Sequence, residues 1–198
     1  MDNAKRGFAA KVISYLFLPP VVNLASFVAV TLKFESKTGN PLGIIGYTSL
    51  FTVFLPIFVF ILFLRKGKIA DADARERKER HIPYLVFAVI IFIGFLIIPW
   101  NDHASEIKYL FLIYLFNLLT LFFVNLFWKI SAHTMGAGGL LATLLFSFGY
   151  WGLIASPVII VLGWSRYELK CHTVGQITAG AVLGVINTLI LFNLFPLL

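Results

Sequence analysis

Long runs of apolar residues, separated by short polar segments, extend over almost the whole chain. A helix that crosses a bilayer needs about 20 predominantly apolar residues. Five runs come close to this length: residues 9–32, 44–64, 83–100, 107–128 and 173–195. The pattern predicts an all-α, polytopic integral membrane bundle that forms a single domain, residues 1–198. The domain divides into an N-terminal two-helix hairpin, a charged loop and a helical core: residues 1–64, 65–82 and 83–198.

The apolar stretch at residues 134–164 is too long for one ordinary span and too short for two full ones. Its middle, Phe148 to Gly152, has paired aromatic residues bracketed by glycines, which is typical of an interfacial turn. We therefore predict two short helices of about 15 residues, near 22 Å long. This hairpin returns Ser165 to the side of Ser131 and brings the total to six to seven transmembrane helices.

The composition supports a membrane protein, because 60% of the 198 residues are hydrophobic and only 13% are charged. The formal net charge is +7, but the basic residues cluster at helix ends and in one loop, so we expect no nucleic acid partner. The lone cysteine, Cys171, excludes an intrachain disulfide. The first apolar run lacks a small-residue cleavage pattern and is too long for a signal peptide, so we expect it to be retained.

Two short polar segments interrupt the apolar core, at Ser131 to Thr134 and at Ser165 to His172. Ionisable residues at membrane depth are costly and usually serve ligand or transport chemistry. Arg166 suits phosphate, and histidines suit phosphoryl transfer. Either His133 or His172 alone would be explained better as a core histidine that hydrogen-bonds across helices. Together with Arg166, the two histidines predict a shared phosphate site.

The two polar segments resemble the second and third signatures of the type 2 phosphatidic acid phosphatase (PAP2) superfamily, which read PSGH and SRxxxxxHxxxD. The matching positions are Ser131, His133, Ser165, Arg166 and His172. Ile130 and Ala132 replace the proline and glycine of the second signature, and Gln176 stands where the third has aspartate. The resemblance covers roughly the last third of the chain.

The resemblance implies a haloperoxidase-like helical core that hydrolyses a lipid phosphate through a phosphohistidine, without a metal or other cofactor. Phosphatidate, a phosphatidylglycerol phosphate and a polyprenyl diphosphate are examples of such lipids. His172 would be the nucleophile and His133 would protonate the departing alkoxide. Arg166 would neutralise phosphoryl oxygens, with Ser131 and Ser165 as further substrate-binding residues.

Gln176 bears on whether the chain is catalytic. A neutral amide can orient the imidazole of His172 but does not offset its positive charge, and the analogous change in a serine protease triad costs about 10⁴ in rate. Glu168 lies four residues before His172 and would meet it on one face if that stretch is helical. Glu168 is explained equally well as a partner of Lys170 or Arg166.

The charged loop, residues 65–82, contains seven basic and four acidic residues. It can be a solvated cytoplasmic loop, helical in part, near anionic lipid. It can also supply phosphate-binding cations, because Lys68 and Arg75 have the spacing of the superfamily's first signature, KxxxxxxRP, although no proline follows Arg75. Arg80 with Pro83 is a rival placement of that signature.

Glycines at the start of the second segment, Gly136, Gly138 and Gly139, allow the backbone to approach phosphate closely. Packing of small residues between membrane helices explains them equally well. Because such residues serve contacts within and between chains, the oligomeric state stays open.

Three functions remain open. The first is a lipid phosphatase, and the second is a catalytically silent relative that binds lipid phosphate headgroups among membrane lipids. The third is a magnesium-dependent membrane prenyltransferase, because Asp71 and Arg75 would share a helical face as in diphosphate-binding motifs. No second Asp-rich loop supplies the further ligands that a magnesium site requires.

Basic residues are unequally divided between the two faces of the predicted topology. One face carries Lys5, Arg6, Lys11, the basic residues of 65–80, Lys129, Arg166 and Lys170; the other carries Lys33, Lys37 and Lys108. The positive-inside rule then places the N terminus and both polar segments on the cytoplasmic side of the inner membrane.

Overall fold

The structure, a computed structural model, describes residues 3–35, 40–98 and 105–195. Within these ranges the chain forms nine α-helices and no strand. The helices are α1 Asn3–Leu16, α2 Pro19–Val30, α3 Pro41–Ser49, α4 Leu55–Arg65, α5 His81–Ile97, α6 Ser105–Phe127, α7 Ala132–Phe148, α8 Ser156–Glu168 and α9 Val174–Leu194. Lys37 and the end of the predicted span 83–100 lie outside the described residues.

Five helical segments of the described chain are long and apolar enough to cross a membrane, or six if the bent pair α1–α2 counts as one span. This is the pattern of a multi-pass membrane protein. A π-helical turn at Leu50–Phe54 joins α3 and α4 into one segment of 25 residues. In this count α7 and α8 are one segment, although the chain reverses direction between them. Counting them as two short helices gives the six to seven helices predicted.

The chain folds back between α7 and α8, as predicted. Gly149 has a φ of +61°, which favours glycine. A Cβ at Gly152 would overlap the α7 backbone at Leu144 and Leu145. A straight helix would separate positions seven or eight residues apart by more than 10 Å. The two helices, of 17 and 13 residues, therefore form the short hairpin that we predicted around Phe148–Gly152.

The predicted span 9–32 is not one straight helix, because the chain bends by 46° between α1 and α2, although the two helices together are long and apolar enough for one broken span. Pro19 and Pro20 cause the break: a proline lacks the N–H that the preceding turn needs and disfavours helical geometry in the residue before it. Leu18 is accordingly extended, with ψ at 144°, and Pro19 begins α2. The bend lies beside the polar segments and places part of α1 against α8.

A dry apolar core fills the end of the bundle that lies away from the polar segments. Phe27 of α2 and Phe111 of α6 meet there with ring centroids 4.9 Å apart, and both are fully buried. Ile98 after α5 and Phe192 near the end of α9 join the same cluster. The opposite end, where α5, α7 and α9 begin and α4, α6 and α8 end, is left for polar side chains.

Small residues bring α7 and α9 into close contact. A Cβ at Gly138 would overlap the carbonyl of Ala181, and one at Gly184 would overlap the carbonyl of Met135. For Gly138 the packing interpretation is therefore confirmed. Gly136 and Gly139 differ, because they line a cavity.

The charged loop is partly exposed and partly packed against neighbouring elements. Between α4 and α5 only the turn Lys78–Arg80 is helical. Side chains fix the loop to neighbouring backbone: Arg77 donates to the Leu126 carbonyl (2.6 Å), and Lys129 donates to the Arg75 carbonyl (2.7 Å). Ile69, Ala74 and Arg80 are buried. The interpretation as a solvated loop, helical in part, holds for the exposed charged residues and the turn Lys78–Arg80, while these contacts hold the loop across the polar end of the bundle.

Candidate functional site

A cavity of about 380 Å³ enters the bundle from the polar end. Its walls combine ionisable groups with hydrocarbon. The ionisable groups at its polar end are Asp73, Arg80, His133, Arg166 and His172. Much of the remaining wall is apolar, including Pro56, Ile57, Phe60, Phe87, Leu118 and Leu121. The cavity thus offers charge at one end and an apolar space below it, a combination that fits an amphiphile with an anionic end.

Arg166 lies in the last turn of α8 and is 1% exposed. Its Nη1 donates to Asp73 Oδ1 (2.7 Å) and to Ser14 Oγ (2.5 Å). Its Nε has no hydrogen-bond partner in the described part of the chain. A buried guanidinium needs its donors satisfied, so Nε is a donor available to a ligand in the cavity.

Asp73 is the principal partner of Arg166, a role that no sequence pattern indicated. Partial burial acts to raise the pKa of Asp73, but the Arg166 guanidinium outweighs it, and Arg75, 3.8 Å away, adds to the effect. The net result is a lowered pKa, so the carboxylate is ionised at neutral pH. Asp73 therefore lies against Arg166 where an anionic ligand would bind.

The tautomer of His172 follows from its neighbours. Oε1 of Gln176 accepts the backbone N–H of Thr173 (3.2 Å), which fixes the amide with its oxygen toward that donor. The same oxygen lies 3.2 Å from His172 Nδ1, so Nδ1 must carry the hydrogen. Thr173 and Gln176 also form a capping box at the start of α9. Nε2 is left with a free lone pair, as a nucleophile requires.

His172 is neutral in the folded chain. Burial lowers its pKa to about 2, with further lowering from the positive charges of Arg80, Lys129 and Arg166. The hydrogen bond that His172 donates to Gln176 acts to raise the pKa but is outweighed. The environment therefore favours an uncharged imidazole with its Nε2 lone pair available at physiological pH.

Acid should destabilise the protein through His172. Its folded pKa lies below the ordinary value of 6.5, so below that pH the unfolded chain binds a proton that the folded chain does not. We expect the free energy of unfolding to fall by up to about 1.4 kcal/mol per pH unit below pH 6.5. His172→Asn, whose amide can still donate to Gln176, should flatten this slope. Unfolding in detergent from pH 7.5 to 5 checks it, and equal slopes in both proteins would contradict it.

His133 is linked to Arg166 through Ser14. Its Nε2 lies 3.4 Å from Ser14 Oγ, and that oxygen accepts a hydrogen bond from Arg166. Both predicted histidines thus line the same cavity as Arg166. Ser14 was missed because it lies in an apolar run that the sequence pattern marked only as membrane span.

Of the three predicted cations in the charged loop, only Arg80 lines the cavity. Arg80 Nε donates to the Ala74 carbonyl (2.7 Å), and its Nη2 donates to the Asp73 carbonyl (3.2 Å). Arg75 is half exposed and pairs with Asp71 and Asp73. Lys68 lies over the ring of Phe63, with Nζ 5.8 Å from its centroid. The placement of the first signature on Arg80 and Pro83 therefore fits the cavity better.

The two signature serines have structural contacts. Ser131 is the N-cap of α7 and accepts the N–H of Thr134 (3.3 Å). Ser165 donates to the Ala10 carbonyl (2.7 Å) and so ties α8 to α1. Both are fully buried, and neither belongs to the cavity wall.

Glu168 is not placed as the helical interpretation required. Helix α8 ends at Glu168, and Lys170 then adopts a positive φ of 55°. The four-residue spacing to His172 therefore crosses a turn and does not lie on one helical face. In the described chain no hydrogen bond or ion pair joins Glu168 to His172, Lys170 or Arg166.

The described residues form no metal site: within 3–35, 40–98 and 105–195, no three His, Cys, Asp or Glu side chains are placed to hold an ion. Asp71 pairs with Arg75 at 3.8 Å, but the loop is not helical there. The prenyltransferase interpretation gains no support from these positions.

No protein-family model, no curated protein and no solved structure matches this chain. Function must therefore be inferred from the polar cluster, the cavity below it and the two short motifs that resemble phosphatase signatures.

Proposed function

We propose that this chain is a membrane lipid phosphatase, a divergent relative of the type 2 phosphatidic acid phosphatase superfamily with its haloperoxidase-like core. It would hydrolyse a phosphomonoester or diphosphate of a lipid through a phosphohistidine, without a metal. One observation carries the proposal: His133, Arg166 and His172 line the charged end of a cavity whose other walls are largely apolar. The charged end suits phosphate and the walls suit hydrocarbon.

The proposed reaction has two steps, the formation and the hydrolysis of a phosphohistidine, and both histidines take part in each step. The phosphate binds to Arg166 and Arg80, and Nε2 of His172 attacks phosphorus as the bond to the lipid oxygen breaks. His133 takes up a proton when the anionic phosphate binds and, as imidazolium, gives it to the departing alkoxide. A water molecule, deprotonated by His133, then attacks the phosphohistidine, and inorganic phosphate leaves with His172 restored.

Phosphate release by purified protein tests this proposal. We expect release from a panel of lipid phosphates in EDTA, and a loss of at least about 10³-fold in His172→Ala, as for the removal of a nucleophile. Loss of wild-type release in EDTA would favour the magnesium-dependent alternative. Equal release by wild type and His172→Ala would contradict the phosphohistidine.

A silent lipid-phosphate-binding protein is the second candidate, and specific contacts favour it. Gln176 contacts His172 through a neutral oxygen, and Asp73 already occupies Nη1 of Arg166. In that case neither wild type nor His172→Ala releases phosphate, while wild type still binds the lipids.

The cations of the charged loop differ in their expected effects. Arg80→Ala should lower kcat/KM for phosphate release by about 10²- to 10³-fold, the usual effect of removing one donor to a transferring group. Arg80→Lys should recover part of this loss because it keeps the charge. Lys68→Ala should stay within about twofold, as expected for a surface position. A larger loss of kcat/KM in Lys68→Ala than in Arg80→Ala would favour the placement of the first signature on Lys68 and Arg75.

We also propose that the polar end faces the cytoplasm at the inner membrane. The basic loop, Lys129 and Lys170 lie at this end, and Lys33 lies at the other, over the ring of Phe148. Lys66→Cys in a Cys171→Ser background should react with a membrane-impermeant maleimide only after cells are permeabilised. Labelling of intact cells would place the site on the opposite side.

A further inference from the structure

The cavity continues well below its charged end. Along α5 its lining runs from Pro83 to Ile91, and along α7 from His133 to Gly139. At 1.5 Å per residue these stretches descend roughly 12 Å and 9 Å. The space is therefore about as deep as two turns of helix, which is much deeper than a phosphate group requires.

The inner end of the cavity is bounded by buried side chains. Ile91 is 2% exposed, Thr52 3% and Tyr114 8%, and all three belong to its lining. Below them the dry core formed by Phe27 and Phe111 continues. A hydrocarbon chain that enters from the charged end would therefore reach the closed end of the cavity at about the depth of Ile91.

Gly139 keeps the cavity open near this closed end. A Cβ at Gly139 would lie 3.6 Å from Thr188 Oγ1 and 3.9 Å from Asn117 Nδ2, which is ordinary contact distance. A larger side chain would extend from that Cβ into the cavity or against Asn117, which also lines it. The inner part of the cavity thus depends on the absence of a large side chain at position 139.

We infer that the cavity takes a phosphate ester with a single hydrocarbon chain, and that its depth sets the length of chain recognised. This inference rests on the proposed phosphate site at Arg166. Three bonds of an extended chain span about 3.5 Å, so the depth accommodates about ten carbon atoms. A volume of about 380 Å³ lies near the lower limit for ligand cavities, which suits one hydrocarbon chain better than two.

The charge distribution fixes the direction of this ligand. Arg166 with its unpartnered Nε and Arg80 lie at the outer end, and Asp73 is the carboxylate beside them. The apolar wall below offers no charged partner for a phosphate. The phosphate therefore stays at the helix ends while the hydrocarbon points toward Ile91 and Gly139.

Binding of alkyl phosphates of increasing length tests the inference. Wild-type protein in lipid nanodiscs is titrated with unlabelled butyl to hexadecyl phosphate against radiolabelled decyl phosphate. Affinity should rise roughly fourfold per methylene, as expected for burial of each group, and level off near ten carbons. A didecanoyl phosphatidate should compete at least about tenfold more weakly than decyl phosphate, because its second chain is not accommodated. Equal competition by the two ligands, or a rise that continues to hexadecyl, would overturn the inference.

A variant at the inner end gives the matched test. Gly139→Leu should weaken decyl phosphate binding by at least about tenfold, the value of two lost methylenes, and leave butyl phosphate unchanged. Gly46→Leu is the control, because nothing lies within 4 Å of a Cβ at this exposed helical glycine. Should Gly139→Leu fail to fold, Ile91→Trp fills the closed end and should shorten the preferred chain in the same way. Unchanged length dependence in the folded variants would refute the role of cavity depth.

Failure of the phosphate site gives a different result. If decanol competes as well as decyl phosphate and the length dependence still levels off near ten carbons, the result supports the proposed site for the hydrocarbon chain and contradicts the phosphatase proposal. If butyl phosphate binds through Arg166 without any length dependence, the phosphate site stands and the single-chain inference fails.

Discussion

Gln176→Glu should raise the rate of phosphate release by several orders of magnitude, toward the factor of about 10⁴ that separates amide from carboxylate in a catalytic triad. Glutamate has the length and shape of glutamine and is favoured at the third position of a capping box, so the Thr173 contacts and the start of α9 should be kept. The added charge would lie beside Nδ1 of His172 and stabilise the positive charge that the ring acquires when its Nε2 bonds to phosphorus.

The same substitution should raise the pKa of His172, because a carboxylate beside the ring offsets the nearby Arg80, Lys129 and Arg166 charges that now lower it. An NMR titration of the His172 ring in both proteins measures this shift. Gln176→Asp adds the charge on a shorter side chain and should give a smaller gain. A raised pKa without any gain in release would favour the silent binder over the phosphatase.

Glu168→Gln is the control for this experiment. If Glu168 supplied the missing carboxylate, its loss should abolish release and Gln176→Glu should add little. Because α8 ends at Glu168, we expect Glu168→Gln to release phosphate within about twofold of wild type.

Asp73→Asn should increase the affinity for inorganic phosphate by at least about tenfold while it destabilises the free protein. The asparagine keeps the size of the side chain but removes the anion that now competes for Arg166 at 2.7 Å. It also leaves a buried guanidinium without its counter-charge, which typically costs about 3–5 kcal/mol. Phosphate should then replace the missing charge and restore stability.

Thermal unfolding with increasing phosphate measures both effects, since a ligand that binds only the folded state raises the midpoint with its concentration. Asp71→Asn is the matched control, because Asp71 is 45% exposed and lies 3.8 Å from Arg75, and an asparagine oxygen can still accept the Asp73 N–H that Asp71 Oδ1 accepts (2.8 Å). It should leave both stability and phosphate response near the wild-type values. Weaker phosphate binding in Asp73→Asn than in wild type would show that Asp73 helps to bind the ligand and does not exclude it.

Local signals in the sequence predicted part of this fold well. The hairpin of α7 and α8 follows from glycines and aromatic residues whose conformational and interfacial preferences act over a few residues. The break at Pro19 and Pro20 was equally local, but the length of the apolar run outweighed it in the prediction. Two interpretations of Glu168 were open, and the one that paired it with His172 required a continuing helix, whereas α8 ends at Glu168 before a turn with positive φ at Lys170 that residue type does not indicate.

The candidate site shows where sequence patterns reach their limit. His133, Arg166 and His172 were predicted to share a site because a motif spacing groups them, and they do line one cavity. Ser14 and Asp73 belong to no motif, and only tertiary packing brings them to Arg166. A loop with seven basic and four acidic residues allows many pairings of charges, so its partner for Arg166 could not be chosen from the order of residues.

The hydrogen bond between Ser14 and Arg166 joins positions 152 residues apart and so has a consequence for biosynthesis. The first helix is synthesised long before α8, so Ser14 is already made while the residues up to Arg166 are still being added. The hydrogen bond between Ser14 and Arg166 can therefore form only after α8 has been synthesised. A truncated product that stops before α8 would contain α1 to α7 and the charged loop, but its Asp73 would lack Arg166.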